Sequence, residues 1–134
     1  MGVPAQILEL IGELREKLGM ALLLITHDLG VVAEQADEVV IMYAGKVVER
    51  AETQEIFDHP RHPYTVGLLL SLPGMGENKK RRLEAIPGVV PSPLELPGGC
   101  RFRNRCPKAA GICAEAEPPL EEKGKGHWAA CYFA

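Results

Sequence analysis

The apolar periodicity of this chain ends at Leu72, and that break limits the possible folds more than any other feature. From Pro73 to Gly99 the residues turn to proline, glycine and charge, with prolines at 87, 91, 93 and 97 and the basic run Lys79-Lys80-Arg81-Arg82 between them. Such a stretch reads as a partly extended linker, and a charge run inside a linker is ordinarily solvated. Beyond it, residues 100–134 are too poor in regularly spaced apolar residues to build a core, yet they hold all four cysteines, Cys100, Cys106, Cys113 and Cys131. A short segment of that kind needs a staple. The expected organisation is an α/β lobe over residues 1–72, a linker over 73–99 and a small irregular cysteine-rich module over 100–134.

Within the first lobe, Ile7, Leu8, Leu10, Ile11, Leu14 and Leu18 recur at helical spacing, with Glu9, Glu13, Glu16 and Lys17 between them and Gly19 at the end. Met20 to Ile25 is a continuous apolar run too short for a second helix, which suits a strand of a parallel sheet covered on both faces. Asp28 is placed to cap a helix through about Ala36. Val39 to Tyr43 and Lys46 to Arg50 then read as two strands joined at Ala44-Gly45. Thr53 is the expected cap of a further turn to Asp58, and Pro63 fits the first turn of a helix from Tyr64 to about Leu72. His59-Pro60-Arg61-His62 is the connector between those two, and its histidines read as turn residues rather than a metal pair.

Composition excludes several function classes. A formal charge of -3 over 134 residues, with 15 Lys and Arg against 18 Asp and Glu, argues against a nucleic-acid grip. No apolar run approaches the roughly 18 to 20 residues that span a bilayer, and the expected compartment is the cytoplasm. Thiols there stay reduced, so the cysteines point to a metal or redox role before structural disulfides.

Three ordered motifs lead to a family. The apolar run ending in Ile25-Thr26-His27-Asp28, then a short helix and a strand ending in Met42-Tyr43-Ala44-Gly45-Lys46, resembles the switch-histidine region of ABC transporter ATPases. Glu55-Ile56-Phe57-Asp58-His59-Pro60, then His62-Pro63-Tyr64-Thr65, resembles the oligopeptide, dipeptide and nickel importer branch. The tail resembles that branch again, in Ile86-Pro87-Gly88, Gly99-Cys100-Arg101-Phe102, Arg105-Cys106-Pro107, Cys113, Pro118-Pro119-Leu120, His127 and Ala130-Cys131.

This resemblance implies an incomplete P-loop NTPase-type lobe followed by the branch's C-terminal appendage. It makes His27 the switch histidine, which in the family contacts the terminal phosphate of ATP. An imidazole at the carboxyl end of a parallel strand stands where such sheets bind ligands, and it has a proton to donate to phosphate oxygens. A P-loop needs Gly-x-x-x-x-Gly-Lys-Ser/Thr, whereas Gly45-Lys46 is followed by Val47 and Gly124-Lys125 by Gly126. ATP and Mg are therefore expected only in an intact parent, and these residues alone are not expected to be an enzyme. Implied partners are a second ATPase subunit and transmembrane permease subunits, on the cytoplasmic face of the membrane. The isolated chain is expected to self-associate, as a homodimer, through the apolar surface of its incomplete sheet.

The cysteine spacing, Cys-x5-Cys-x6-Cys-x17-Cys, lacks the tight pairs of most structural zinc sites. Four thiolates also hold iron-sulfur clusters, whose larger body tolerates wider ligands, and free or disulfide-linked thiols are a third alternative. The resemblance implies a [4Fe-4S] cluster on Cys100, Cys106, Cys113 and Cys131. His127 reads as a neighbouring hydrogen-bonding group, and Phe102 and Trp128 as packing for the cysteine module. A rival from another class is a free-standing cytosolic metal or redox-binding module with an α/β dimerisation lobe.

Overall fold

Val39, Ile41 and Tyr43 alternate with Glu38, Val40 and Met42, and strand β1 (Glu38–Tyr43) buries the first set and exposes the second. Ala44 and Gly45 follow with φ of 48° and 82°. Two successive residues at positive φ match the right-handed twist of a two-residue hairpin turn, so the chain reverses at once into β2 (Lys46–Glu52). Helix α3 (Thr53–Asp58) follows without a break. Thr53 is its first helical residue rather than its cap; Glu52 holds the cap position and makes no side-chain cap bond. Helix α4 (Pro63–Leu70) begins at the proline the sequence marked, with His62 as cap.

The computed structural model describes residues 5–72 and 88–134. The basic run 79–82 and the first part of the linker, to residue 87, lie outside them. The described chain divides into two compact units, one ending at Asp37 and one running from Glu38 to Ala134. In the first, helix α1 (Ala5–Leu18) stops at Gly19, whose φ of 62° suits a glycine just past a helix end. Helix α2 (Leu29–Gln35) is capped by Asp28, whose Oδ1 accepts from the N–H groups of Gly30 at 3.0 Å and Val31 at 3.3 Å.

The run Met20 to Ile25 forms no strand, correcting the expected parallel sheet. Leu23 and Ile25 are 86% and 89% exposed. A strand buried on both faces requires hydrogen-bonded neighbours on both edges, and no described strand pairs with this segment. Every strand pair among the described residues is antiparallel.

The tail is more regular than expected. It contains helix α5 (Gly111–Glu115) and strands β3 (Glu121–Gly124) and β4 (His127–Ala129). Strand β4 pairs with β2, giving one sheet of order β1-β2-β4-β3. The hairpin grouped with the first lobe on sequence thus shares its sheet and core with the cysteine-bearing tail. That core is Val39, Ile41, Tyr43, Val48, Ala51, Ile56, Leu69, Phe102, Ala129 and Ala130. Apolar periodicity missed this because β3 and β4 together span only a few residues and borrow their buried face from β2.

Candidate functional site

Strand β2 contains an irregularity that builds the interior of the second unit. Ile41 pairs with Glu49 but Met42 with Val47, so Val48 is an extra residue in the ladder. A bulge reverses the in-out phase of a strand. Val48 and Glu49 are therefore both buried, where strict alternation would send one of them to solvent.

Glu49 is fully buried, and its polar contacts tie two other segments to β2. Its Oε1 accepts the backbone N–H of His62 at 2.8 Å and its Oε2 that of Arg61 at 2.9 Å. Oε2 also pairs closely with His127 Nε2 from β4, itself buried. A buried carboxylate demands such partners, because leaving it unpaired in a low-dielectric interior is costly. The connector 59–62 and strand β4 are thus held by one side chain. His127 is a hydrogen-bonding group, but its partner is Glu49 and not a cysteine.

His62 is 1% exposed. Its Nδ1 accepts the N–H of Tyr64 at 3.0 Å, which caps α4. Its ring meets Phe102 edge-on at 5.7 Å, and Phe102 also packs on Tyr43 at 5.1 Å and Tyr64 at 5.4 Å. Burial pushes the His62 pKa from 6.5 down to about 4, against the opposing pull of the Glu49 carboxylate. His62 therefore stays neutral in the fold while the unfolded chain takes up a proton near pH 6.5. The stability it contributes is complete above that pH and is lost as pH falls towards 4, by about 3 kcal/mol. Urea midpoints of iron-free protein at about pH 6.5 and about pH 4 should fall accordingly. His62→Asn should flatten that dependence, and an equally steep fall in the variant would assign the loss to other groups.

The four cysteines converge. Cys100, Cys106, Cys113 and Cys131 line a single narrow cleft together with His62 and Phe102. Gly99, at φ 69°, lets the chain approach α5 closely enough for the Cys100 N–H to reach Cys113 O at 2.7 Å. Backbone donors already face the sulfurs: Lys108 N–H donates to Cys106 Sγ at 3.3 Å and Phe133 N–H to Cys131 Sγ at 3.4 Å. The Cys100 thiol likewise has the N–H groups of Phe102 and Arg103 against it. Burial, more than the neighbouring thiols, pushes the pKa of Cys100 and Cys106 up, so both are neutral at ordinary pH without a bound cation.

This donor set suits a group bound by several thiolates, because amide donors aimed at sulfur stabilise the anionic ligand form. The cleft as it stands leaves about 10 Å³, room for a single water. Among the described residues no three His, Cys, Asp or Glu side chains are placed to hold a metal ion. Neither a closed zinc set nor an opened cluster cage is thus present; what the fold supplies is four convergent thiols with amide donors. Trp128 does not line the cleft and is 37% exposed, so the expected packing role belongs to Phe102 alone. His127 does not line it either.

In the first unit, His27 is exposed in the bend before α2. Its neighbours build that bend: Asp28 N–H donates to Thr26 Oγ1 at 3.0 Å, and Asp28 caps the helix. Sequence reasoning missed Glu49 and the buried role of His62. The sequence offered no clear signal, because Glu49 is one of four charged residues in β2 and only its burial sets it apart.

Comparison with known proteins supplies the context for these parts. Residues 48–113 match the family described as oligopeptide/dipeptide transporter, C-terminal region. A probable peptide ABC transporter ATP-binding protein of Sinorhizobium fredii is 49% identical over 130 residues, covering 97% of this chain and 39% of the relative. The dipeptide transport ATP-binding protein DppD of Escherichia coli is 47% identical over 131 residues, 98% of this chain and 40% of the relative. The oligopeptide transport ATP-binding protein AppD of Bacillus subtilis is 48% identical over the same shares. The chain spans about 40% of the length of these curated relatives. Residues 48–113 thus carry the pattern of the oligopeptide/dipeptide transporter C-terminal region, and the chain as a whole is similar to part of the ATP-binding proteins of peptide ABC transporters.

Proposed function

We propose that this chain forms the switch-histidine segment and C-terminal region of an ATP-binding subunit that drives peptide import. The observation carrying this reading is the 47–49% identity, over nearly the whole chain, to ATP-binding proteins of peptide transporters. In the working protein, ATP and Mg are held by parts that the present residues do not include, and His27 senses the terminal phosphate. A second ATPase subunit completes the nucleotide site. Permease subunits receive the motion at the cytoplasmic face of the membrane, and no helix among the described residues is long and apolar enough to cross it. The exposed apolar residues Leu10, Leu14, Leu18, Leu23 and Ile25 are surface for such neighbours, or for a second copy when the chain is isolated.

The four-cysteine cleft is the proposed seat of a [4Fe-4S] cluster, with Cys100, Cys106, Cys113 and Cys131 as ligands. When bound, that group would supply a rigid four-point staple and a one-electron redox centre. The supporting observations are the convergence of the thiols on one cleft and the amide donors facing their sulfurs.

The test is uptake. Cells whose gene for this protein is disrupted should lose import of labelled di- or oligopeptides, and a copy carrying His27→Ala should not restore it. Undiminished uptake in the disrupted strain would overturn the import reading. Iron and sulfide analysis of anaerobically purified chain tests the cluster separately, with about four irons per chain expected.

A further inference from the structure

We propose that His62 is a positioning residue for the cysteine site: its Nε2–H donates a hydrogen bond into the thiol-lined cleft and holds a sulfur there in its anionic form. This rests on the reading of the cleft as a ligand site, and it links that site to the connector that Glu49 anchors.

The tautomer follows from geometry. His62 Nδ1 accepts the Tyr64 N–H at 3.0 Å, so that nitrogen presents a lone pair and carries no proton. A neutral imidazole then has its proton on Nε2. The low pKa that burial imposes agrees with the neutral form. Glu49 gives the ring no hydrogen bond, because its contact with His62 is to the backbone N–H, and its charge only partly opposes the effect of burial. His62 Nε2 is buried and has no hydrogen-bond partner among the described residues. A buried donor without an acceptor is destabilising enough that native folds rarely keep one.

Cysteine side chains share this cleft with His62, and none of their sulfurs is bonded to Nε2 in the fold as it stands. His62 lines the cleft formed by all four cysteines, and Phe102, edge-on to the ring, makes the surroundings apolar. A neutral thiol is a weak acceptor and a thiolate a strong one, so the bond forms when a bound group displaces the protons of the cleft's sulfurs to solvent. The same ring borders a larger cavity of about 290 Å³, lined by Lys46, Arg101, Glu117 and Leu120 among others. A water there is the competing acceptor.

Two substitutions separate the roles of the two ring nitrogens. His62→Asn keeps an acceptor near Nδ1, and so the cap of α4, but removes the Nε2 donor. His62→Gln keeps an amide N–H near Nε2 but gives up the cap. In iron-free protein, alkylation of the cleft thiols by iodoacetamide at a fixed pH should slow several-fold in the Asn variant and stay near wild type in the Gln variant. In reconstituted protein, iron loss to a chelator should quicken about tenfold with Asn and much less with Gln. The Asn variant should also have the more negative reduction potential.

A purely structural role predicts the opposite alkylation result, since a loosened cleft exposes its thiols and speeds the reaction. Unchanged or faster alkylation in the Asn variant overturns the proposal. So does an imidazole nitrogen spectrum of the wild type placing the His62 proton on Nδ1. If wild-type chain takes up no iron and sulfide, the cluster reading fails, and the alkylation rates and nitrogen spectrum still decide the role of His62.

Discussion

Glu49→Ala is expected to destabilise the second unit by about 3 to 5 kcal/mol, since each buried donor it leaves unsatisfied costs about 1 to 3 kcal/mol. The substitution strips the acceptor from His127 Nε2 and from the backbone N–H groups of Arg61 and His62 at once. The His62 and His127 donors are buried and the Arg61 N–H is part-buried, and a single water in the vacated space cannot satisfy all three. A loss of that size is a large fraction of the 5 to 15 kcal/mol that typically stabilises a domain. Chemical denaturation followed by circular dichroism measures it. Glu49→Gln should cost less, since an amide oxygen still accepts one backbone N–H. A change below about 1 kcal/mol for the alanine variant would mean that the connector and β4 are held by something other than this carboxylate.

Gly99→Ala is the second substitution expected to be severe. At φ 69° any Cβ costs about 1 to 2 kcal/mol. Here the added carbon would also fall against the carbonyl oxygen of Cys113 and lie 2.9 Å from the carbonyl carbon of Ala114. Those are backbone atoms that no side-chain rotation moves. To relieve the overlap, the Gly99-Cys100 segment must withdraw from α5, breaking the Cys100 N–H to Cys113 O bond and separating two of the four thiols. Gly126 is the control: its φ is 70°, but nothing lies within 4 Å of the position a Cβ would take. Gly126→Ala should therefore show only the conformational cost. Melting temperatures of the two variants should differ by more than a factor of two in their drop from wild type, and iron uptake should fail only in Gly99→Ala. Equal drops would show that the close approach at Gly99 relaxes freely.

Much of the local structure was legible before any fold was known. The alternation from Glu38 to Tyr43, the Ala44-Gly45 turn, the cap at Asp28 and the proline start at Pro63 all rest on interactions between residues a few positions apart. Such interactions are written in the order of the residues, and the ordered motifs that mark the family are likewise readable along the chain. The four cysteines were identified as one group in the same way, from compartment and clustering.

Other features depended on residues brought together from far apart. Alternation alone cannot place both Val48 and Glu49 inside; the bulge opposite Ile41 and Met42 reverses the phase, and it exists only when β1 and β2 pair. His62 looked like a turn residue because its connector is short and proline-flanked, yet it is buried by Phe102, forty residues later in the chain. The tail seemed to lack a core because its strands complete one that β1 and β2 begin. Met20 to Ile25 failed in the opposite direction, since apolar composition marks a segment that wants burial but does not supply the neighbours that bury it. The sequence by itself determined the local turns, caps and strand alternation, the family resemblance and the identity of the thiols, because each depends on residue type and short spacing. Tertiary structure alone decided which polar groups lie inside and what they touch, because burial and pairing are properties of segments that meet only when the chain is folded.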